Sequence, residues 1–161
     1  MKPRIVVATM LAAALAAGGA LAAKSCLYHY DGEGFSFEWA EAADVERRDA
    51  SEDVIFEGCH RQVKLTAVVR AGERLPEAGQ EFRLMSYFPG EWKQEPAACR
   101  GSGWESCRSW SYEAEGSGDE GLGMVGYGPK GTYIFVLTAP AEKFHDRRPA
   151  MRAVQDSLKL F

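Results

Sequence analysis

An unbroken apolar run near the end of the chain constrains its fold most. Tyr133 to Leu137 reads YIFVL, a run of aromatic and branched residues that is short for a helix and is bounded by turn residues. Such a run is typical of a strand that is covered on both faces. The sequence therefore predicts a β-sheet in which this segment is a central strand.

The residues before this run predict an antiparallel hairpin. Gly128 to Gly131 reads GPKG, in which proline presets φ at the second turn position and glycine accepts a positive φ at the exit. Glycines also interrupt the preceding strand, Leu122 to Tyr127, and strand glycines usually mark a bulge or a close approach by another part of the protein. We expect them to make room for a packed helix rather than for a ligand.

The final residues change to a helical period. One stripe at helical spacing contains the apolar residues Met151, Val154, Leu158 and Phe161. Asp146 can cap such a helix, and Pro149 is tolerated in a first turn, where the leading N–H groups have no partner within the helix. The sequence predicts a helix that begins near Asp146 and covers one face of the sheet.

The sequence predicts five further strands upstream, and alternating apolar and polar residues indicate the first, fourth and fifth of them. The predicted segments are Phe35 to Ala40, Val45 to Arg48, Val54 to Gly58, Val63 to Arg70 and Trp104 to Ala114. The cleanest alternation is in the fourth of these, where every second residue from Val63 to Val69 is apolar and points inward. We expect the other face of that strand to be wet.

The region between the fourth and fifth strands predicts a short helix and then a loop. Pro76 lies near the helix start, Pro89 and Gly90 end it, and one of its sides carries the apolar residues Ala78, Phe82, Met85 and Phe88. Residues 91–103 have no period and contain proline and glycine, so they predict a loop. Trp92 in that loop has no evident core role, and it is the candidate partner-binding residue.

The first residues predict export. Lys2 and Arg4 form a basic n-region, Ile5 to Leu21 is apolar and rich in alanine, and Ala20-Leu21-Ala22 matches a cleavage site. A membrane anchor is the alternative, but the run is short and a stop-transfer flank is missing. We expect residues 1–22 to be a cleaved signal peptide and residues 23–161 to be one domain, exported to the periplasm or the exterior, with no membrane insertion after cleavage.

All four cysteines follow the expected cleavage site. An even number of cysteines in an exported chain predicts two disulfides, and three pairings are open. Cys99 and Cys107 would close a short loop rich in glycine, which leaves Cys26 to pair with Cys59. Free thiols are the alternative reading.

Composition and charge limit the classes of partner. The 161 residues are 46% apolar and 26% charged, which is ordinary for one soluble globular domain. The formal charge is −4, and removal of residues 1–22 takes away Lys2 and Arg4 but no acid. Nucleic acid is an unsuitable partner for such a chain, because phosphate binding needs a concentrated basic surface.

The order of these elements resembles the Mog1/PsbP-like proteins, in particular bacterial exported members of the DcrB and DUF1795 type. The segments that carry the resemblance are GEGFSFEWAE, WESCRSWSYEA, and TYIFVLTAPAEKF followed by AMRAVQDSLKLF. The resemblance implies an α+β fold with an antiparallel β-sheet flanked by helices, an α/β/α sandwich. It also implies a non-catalytic role, because members of such families serve as assembly factors, chaperones or partner-binding domains.

Sequence signals for a cofactor or a metal are weak. Two GxGxxG matches, at Gly116 and Gly121, are followed by a strand instead of the helix that dinucleotide binding needs. His29, His60 and His145 with Cys26 and Cys59 lack the two close ligand pairs of a structural zinc site. We expect no cofactor and no metal.

Catalytic signals are equally weak. No GxSxG or CxxC motif occurs, and Glu38, Glu57 and Glu113 at outward strand positions are the remaining candidates for a carboxylate site. The sequence thus predicts an exported non-catalytic domain that binds a protein or a small ligand. The alternatives are a small periplasmic enzyme with a carboxylate or histidine site and a structural component of the envelope stabilised by disulfides.

Overall fold

A computed structural model describes residues 24–116 and 118–161. The expected signal peptide, residues 1–22, lies outside the described residues. Within them, neither helix is long and apolar enough to cross a membrane.

Ten strands and two α-helices make up the described chain. The strands are β1 (Ser25–Tyr30), β2 (Phe35–Ala40), β3 (Glu46–Ala50), β4 (Asp53–His60), β5 (Val63–Ala71), β6 (Gly90–Glu95), β7 (Ser106–Ala114), β8 (Asp119–Gly128), β9 (Gly131–Pro140) and β10 (Lys159–Leu160). The helices are α1 (Glu77–Tyr87) and α2 (Ala141–Ser157), and a short 3-10 helix spans Glu41–Ala43.

Seven of the strands form one large antiparallel sheet. Its order is β3-β4-β5-β9-β8-β7-β6, and a smaller sheet has the order β1-β2-β10. The YIFVL run lies in β9, the fourth of the seven strands, and Ile134 and Val136 on one face are as buried as Phe135 and Leu137 on the other. The prediction of a central strand covered on both faces is confirmed, and so is the α+β class.

The two faces of the large sheet have different covers. On one face, Phe35 and Phe37 of β2 and Met151 and Val154 of α2 pack against β4, β5, β8 and β9. On the other face, Leu84 of α1 belongs to a smaller cluster of buried apolar residues. We call these two faces the α2 face and the α1 face. The strand β5, expected to be wet on one side, has Val68 and Arg70 buried on its α1 face.

The last helix differs from its predicted bounds. It begins at Ala141 instead of Asp146, so Pro149 lies in its interior. Proline leaves the carbonyl of His145 without its helical partner, and because both residues are exposed, solvent can supply the missing hydrogen bond. The helix ends at Ser157, where the chain turns into β10; Leu158 is buried, but Phe161 lies outside the helical stripe and is 40% exposed.

The loop predicted for residues 91–103 contains a strand. β6 pairs with β7 at the edge of the large sheet, and its residues alternate poorly because most of them are polar. The remainder of the loop is held near the chain's end: Ser102 N–H donates to the Leu158 carbonyl and Leu160 N–H to the Ser102 carbonyl. Gly103 has φ +85° and passes so close to Leu160 that a Cβ would clash with its carbonyl oxygen.

Two of the four cysteines are joined. Cys99 and Cys107 form a disulfide with their Cα atoms 6.0 Å apart, whereas Cys26 and Cys59 are free, so the second expected disulfide is not formed. Strand parity explains this. Cys26 lies on β1 in phase with Tyr28 and Tyr30, which pack towards the α2 face, while Cys59 lies on β4 in phase with Ile55 on the α1 face. The large sheet therefore separates the two thiols.

A matched pair of methionines tests how α2 is packed. Met151 is fully buried against the sheet and Met85 of α1 is 48% exposed. Met151→Ala is expected to lower the free energy of unfolding by about 2–5 kcal/mol, because it leaves a cavity in the core. Met85→Ala is expected to change it by less than about 1 kcal/mol. Urea unfolding of the oxidised protein measures both, and equal losses would contradict this packing.

Candidate functional site

Helix α1 connects β5 to β6 and lies across the α1 face of the large sheet. Two of its residues are fully buried there, Leu84 at 1% exposure and Gln80 at 2%. Leu84 packs with Ile55, Val68 and Ile134. The fully buried residues of the helix are thus one leucine and one glutamine.

The apolar stripe of α1 points away from the sheet. An amphipathic helix normally buries such a stripe. Here Phe82 is 70% exposed and Met85 48% exposed, and Ala78 one turn earlier is exposed as well. We call these three residues the α1 outer face. Phe88 is the exception, because it lies just beyond the helix and is half-buried.

A buried carboxylate holds the helix in this rotation. Asp53, at the start of β4, is 2% exposed and accepts three hydrogen bonds. Arg70 of β5 donates through Nε at 2.7 Å, Arg83 of α1 through Nη1 at 3.0 Å, and the Tyr87 hydroxyl at 2.6 Å. Two of the three donors belong to α1, so this one side chain ties the helix to the sheet.

The same network shifts two pKa values. Burial lowers the pKa of Arg70, but its hydrogen bonds to Asp53 and Glu73 and the nearby negative charges outweigh burial, and the net pKa is raised. Burial raises the pKa of Tyr87, and its hydrogen bond to Asp53 raises it further. Both shifts keep these donors protonated, which preserves the network.

Further polar contacts hold the first half of α1. Gln80 Nε2 donates to the Leu75 carbonyl at 2.9 Å. Arg108 on β7 donates to Glu81 at 2.7 Å and lies over the ring of Trp110, 5.3 Å from its centroid. Polar groups along the inward side and the flanks therefore fix the helix, and the apolar residues are left outside.

Trp92 does not lie in an exposed loop. It belongs to β6, is half-buried, and stacks near Tyr112 with ring centroids 4.4 Å apart. Its indole N–H donates to the Phe88 carbonyl at 3.0 Å. A Cβ on Gly123 would lie 2.8 Å from the Trp92 ring. The strand glycine therefore makes room for this tryptophan, and the prediction that it makes room for a packed helix is wrong.

The residues considered for catalysis do not converge. Glu57 pairs with Arg48 at 3.0 Å on the large sheet, while Glu38 lies on β2 of the small sheet. Glu113 is exposed on β7. Within residues 24–116 and 118–161, no three side chains of His, Cys, Asp or Glu form a group that could hold a metal ion.

The cavities on the described surface include two that are open to solvent. One, of about 260 Å³, lies between α1 and β7 and is lined by Glu77, Gln80 and Arg108 among others. The other, of about 360 Å³, lies near Lys24, Glu41 and His60. Ligand pockets usually enclose most of a drug-sized molecule in about 300–1,000 Å³. Among the described residues, the large hydrophobic side chains that are exposed are Phe82, Met85 and Phe161, and two of these three lie together on the α1 outer face.

Comparison with solved structures identifies the fold. Over 91% of this chain and 98% of the other, the structure is similar to the solution structure of cyanobacterial PsbP (CyanoP) from Synechocystis sp. PCC 6803, with a TM-score of 0.59 and 16% sequence identity. The chain has a PsbP-like fold. No family model matches the sequence, and no curated protein matches it. At 16% identity, the likeness to PsbP is one of fold alone.

The role of Tyr87 predicts a pH dependence. Because its pKa is higher in the folded protein than its ordinary value of about 10, the folded state holds this proton more tightly, and the contribution to stability is lost as the pH rises above about 10. Tyr87→Phe is expected to cost about 1–2 kcal/mol at neutral pH, because it removes a hydrogen bond to a carboxylate. The difference between the two proteins is expected to shrink as the pH rises above about 10. A constant difference in urea unfolding over that rise in pH would refute this role.

Proposed function

We propose that this PsbP-like domain is an exported, non-catalytic domain that binds a protein partner through the α1 outer face. The observation that carries the proposal is the exposure of Phe82 and Met85 on a helix whose polar side is anchored to the sheet. Solvation of that apolar area is unfavourable, and a partner that covers it gains about 25 cal/mol per Å² buried.

Anchoring makes the helix a suitable docking surface. Arg83 and Tyr87 bind Asp53, and Arg108 binds Glu81, so the helix does not have to become ordered when a partner arrives. A preformed surface avoids part of the entropy cost of association. Phe82 then acts as the aromatic anchor that contact surfaces favour, with Met85 as its adaptable neighbour.

The charged residues beside the stripe suit a specific partner. Glu77 and Glu81 lie along one edge, next to Arg108, and Arg83 lies along the other. Charged residues at a rim contribute more to the choice and the orientation of a partner than to its affinity. The partner is therefore proposed to be a folded protein or helix with an apolar centre and a mixed polar border.

Export rests on the signal-like residues 1–22, and the Cys99–Cys107 disulfide supports it, because disulfides persist in oxidising compartments. The proposed location is the periplasm or the exterior. We also propose that the domain is related to the exported DcrB and DUF1795-type proteins that its sequence resembles. Trp92 contributes to the site indirectly, because its ring packs against Phe88 at the end of α1.

Affinity capture from the exported fraction tests the proposal. The double variant Phe82→Ser with Met85→Ser is expected to lose the captured protein, with affinity reduced by tenfold or more for about 2 kcal/mol of lost contact. Its unfolding free energy is expected to change by less than about 1 kcal/mol, since both side chains are exposed. Phe161→Ser removes an exposed aromatic outside α1 and is expected to retain the partner.

Three results would overturn the proposal. The double variant could retain the partner, the Phe161 control could lose it equally, or the wild-type chain could capture no protein at native concentration. A chain that is found only in the interior of the cell would overturn the exported location separately.

A further inference from the structure

The strand β1 is a long exposed edge of the small sheet. That sheet has the order β1-β2-β10, and β10 on its far side is only two residues long. β1 pairs with β2 along all six of its residues, and no other strand of the described chain lies beside it. The outward edge of β1 therefore presents backbone groups that a further strand could pair with.

The register identifies which backbone groups point outward. Glu41 N–H donates to the Lys24 carbonyl at 2.9 Å, so residue 24 faces β2. Antiparallel strands alternate between hydrogen-bonded and non-hydrogen-bonded pairs. Cys26, Tyr28 and Tyr30 consequently bond towards β2. The N–H and C=O groups of Ser25, Leu27 and His29 point away from it.

The sequence of β1 lacks the charged residues and prolines that protect the two edges of the large sheet from pairing with other chains. β3, at one edge of the large sheet, is mostly charged, with Glu46, Arg47, Arg48 and Asp49. β6, at the opposite edge, carries Glu91, Lys93 and Glu95 between two prolines. β1 reads SCLYHY, without a formal charge or a proline. Charges and prolines on edge strands oppose pairing with other chains. Their absence singles out β1.

We propose that β1 pairs antiparallel with β1 of a second copy of this chain, with the two-fold axis at Leu27. This register places Leu27 opposite Leu27 of the second copy and Ser25 opposite its His29. Every outward-pointing backbone group of the strand is then used in hydrogen bonds between the two copies. An axis moved by one residue along the strand would leave part of them without partners.

The two ends of β1 favour the same arrangement. Lys24 precedes the strand and Asp31 follows it, and the Asp31 side chain is 80% exposed. Antiparallel pairing brings the Lys24 end of one copy beside the Asp31 end of the other, so opposite charges meet at both ends. A second copy therefore fits the edge in charge as well as in hydrogen bonding.

The dimer leaves the α1 outer face open. The small sheet lies on the α2 face of the large sheet, and α1 lies on the other face. Pairing at β1 would present two copies of the α1 outer face in one particle. The proposal does not rest on the function suggested for α1, because it uses none of its residues.

Sedimentation velocity of the protein produced from its full-length sequence tests the proposal. Over a series from about 1 µM to about 1 mM, the protein is expected to change from monomer to dimer. Leu27→Lys puts like charges opposite each other at the axis and is expected to keep the chain monomeric throughout. Within one copy the new lysine faces Glu38, so the fold tolerates it. Gln94→Lys on the exposed edge β6 is the matched control and is expected to dimerise like the wild type.

A mixing experiment tests the axis itself. Leu27→Glu alone is also expected to be monomeric, and an equimolar mixture with Leu27→Lys is expected to restore the dimer, because opposite charges then meet. Circular dichroism checks that each variant is folded. Should Leu27→Glu not fold beside Glu38, Ser25→Pro, which removes an outward N–H, is expected to weaken the dimer instead.

Three outcomes would overturn the proposal. If the wild-type chain stays monomeric, the occupant of the β1 edge is a strand of another protein or residues 1–23, and not a second copy. A dimer that survives Leu27→Lys uses another surface, such as the α1 outer face. Folded charge variants that stay monomeric when mixed place the axis elsewhere.

Discussion

The buried carboxylate of Asp53 is the contact on which the described surface depends. It receives Arg70 from β5 and both Arg83 and Tyr87 from α1. Breaking a buried ion pair costs about 3–5 kcal/mol, and rotation of the helix would take both Arg83 and Tyr87 away from Asp53, so the helix cannot rotate without a large loss. The rotation that satisfies Asp53 is also the one that turns Phe82 and Met85 outward. The exposed apolar stripe is therefore a consequence of an electrostatic constraint.

The two faces of the large sheet are covered to different extents. The α2 face is closed by the small sheet and α2, and its core contains most of the buried aromatic residues. The α1 face is closed by one short helix, the polar side chains that anchor it, and the packed rings of Trp92 and Tyr112. An asymmetric sandwich of this kind can be stabilised mainly from the α2 face, while the thinner cover on the α1 face leaves Phe82 and Met85 at the surface.

Local patterns were sufficient to predict the parts of the fold that depend on neighbouring residues. The YIFVL run predicted the central strand, and GPKG predicted the turn between β8 and β9, because burial on two faces and backbone torsion are local properties. The sequence does not predict β1, because Cys26, Tyr28 and Tyr30 alternate too weakly to indicate a strand. The observed start of α2 lies five residues before the predicted one, because the helix tolerates Pro149 in its interior at a position exposed to solvent.

The candidate site depends on distant residues and could not be predicted in the same way. The rotation of α1 is set by Asp53, which precedes Arg83 by 30 residues. A hydrophobic stripe alone indicates which residues share a side, but not whether that side is covered. The separation of Cys26 from Cys59 likewise follows from strand parity in two different sheets. The one local signal is that the polar residues Gln80, Arg83 and Tyr87 share the side of the helix away from the stripe.

Hydroxyl-radical footprinting of the native protein, read residue by residue by mass spectrometry, tests the orientation of α1 most directly. The account predicts rapid modification of Phe82 and Met85, and slow modification of Leu84 on the same helix and of Met151 in the core. Protection of Phe82 and Met85 with modification of Leu84 in the monomeric protein would mean that the helix packs its apolar stripe on the sheet, and would contradict the account.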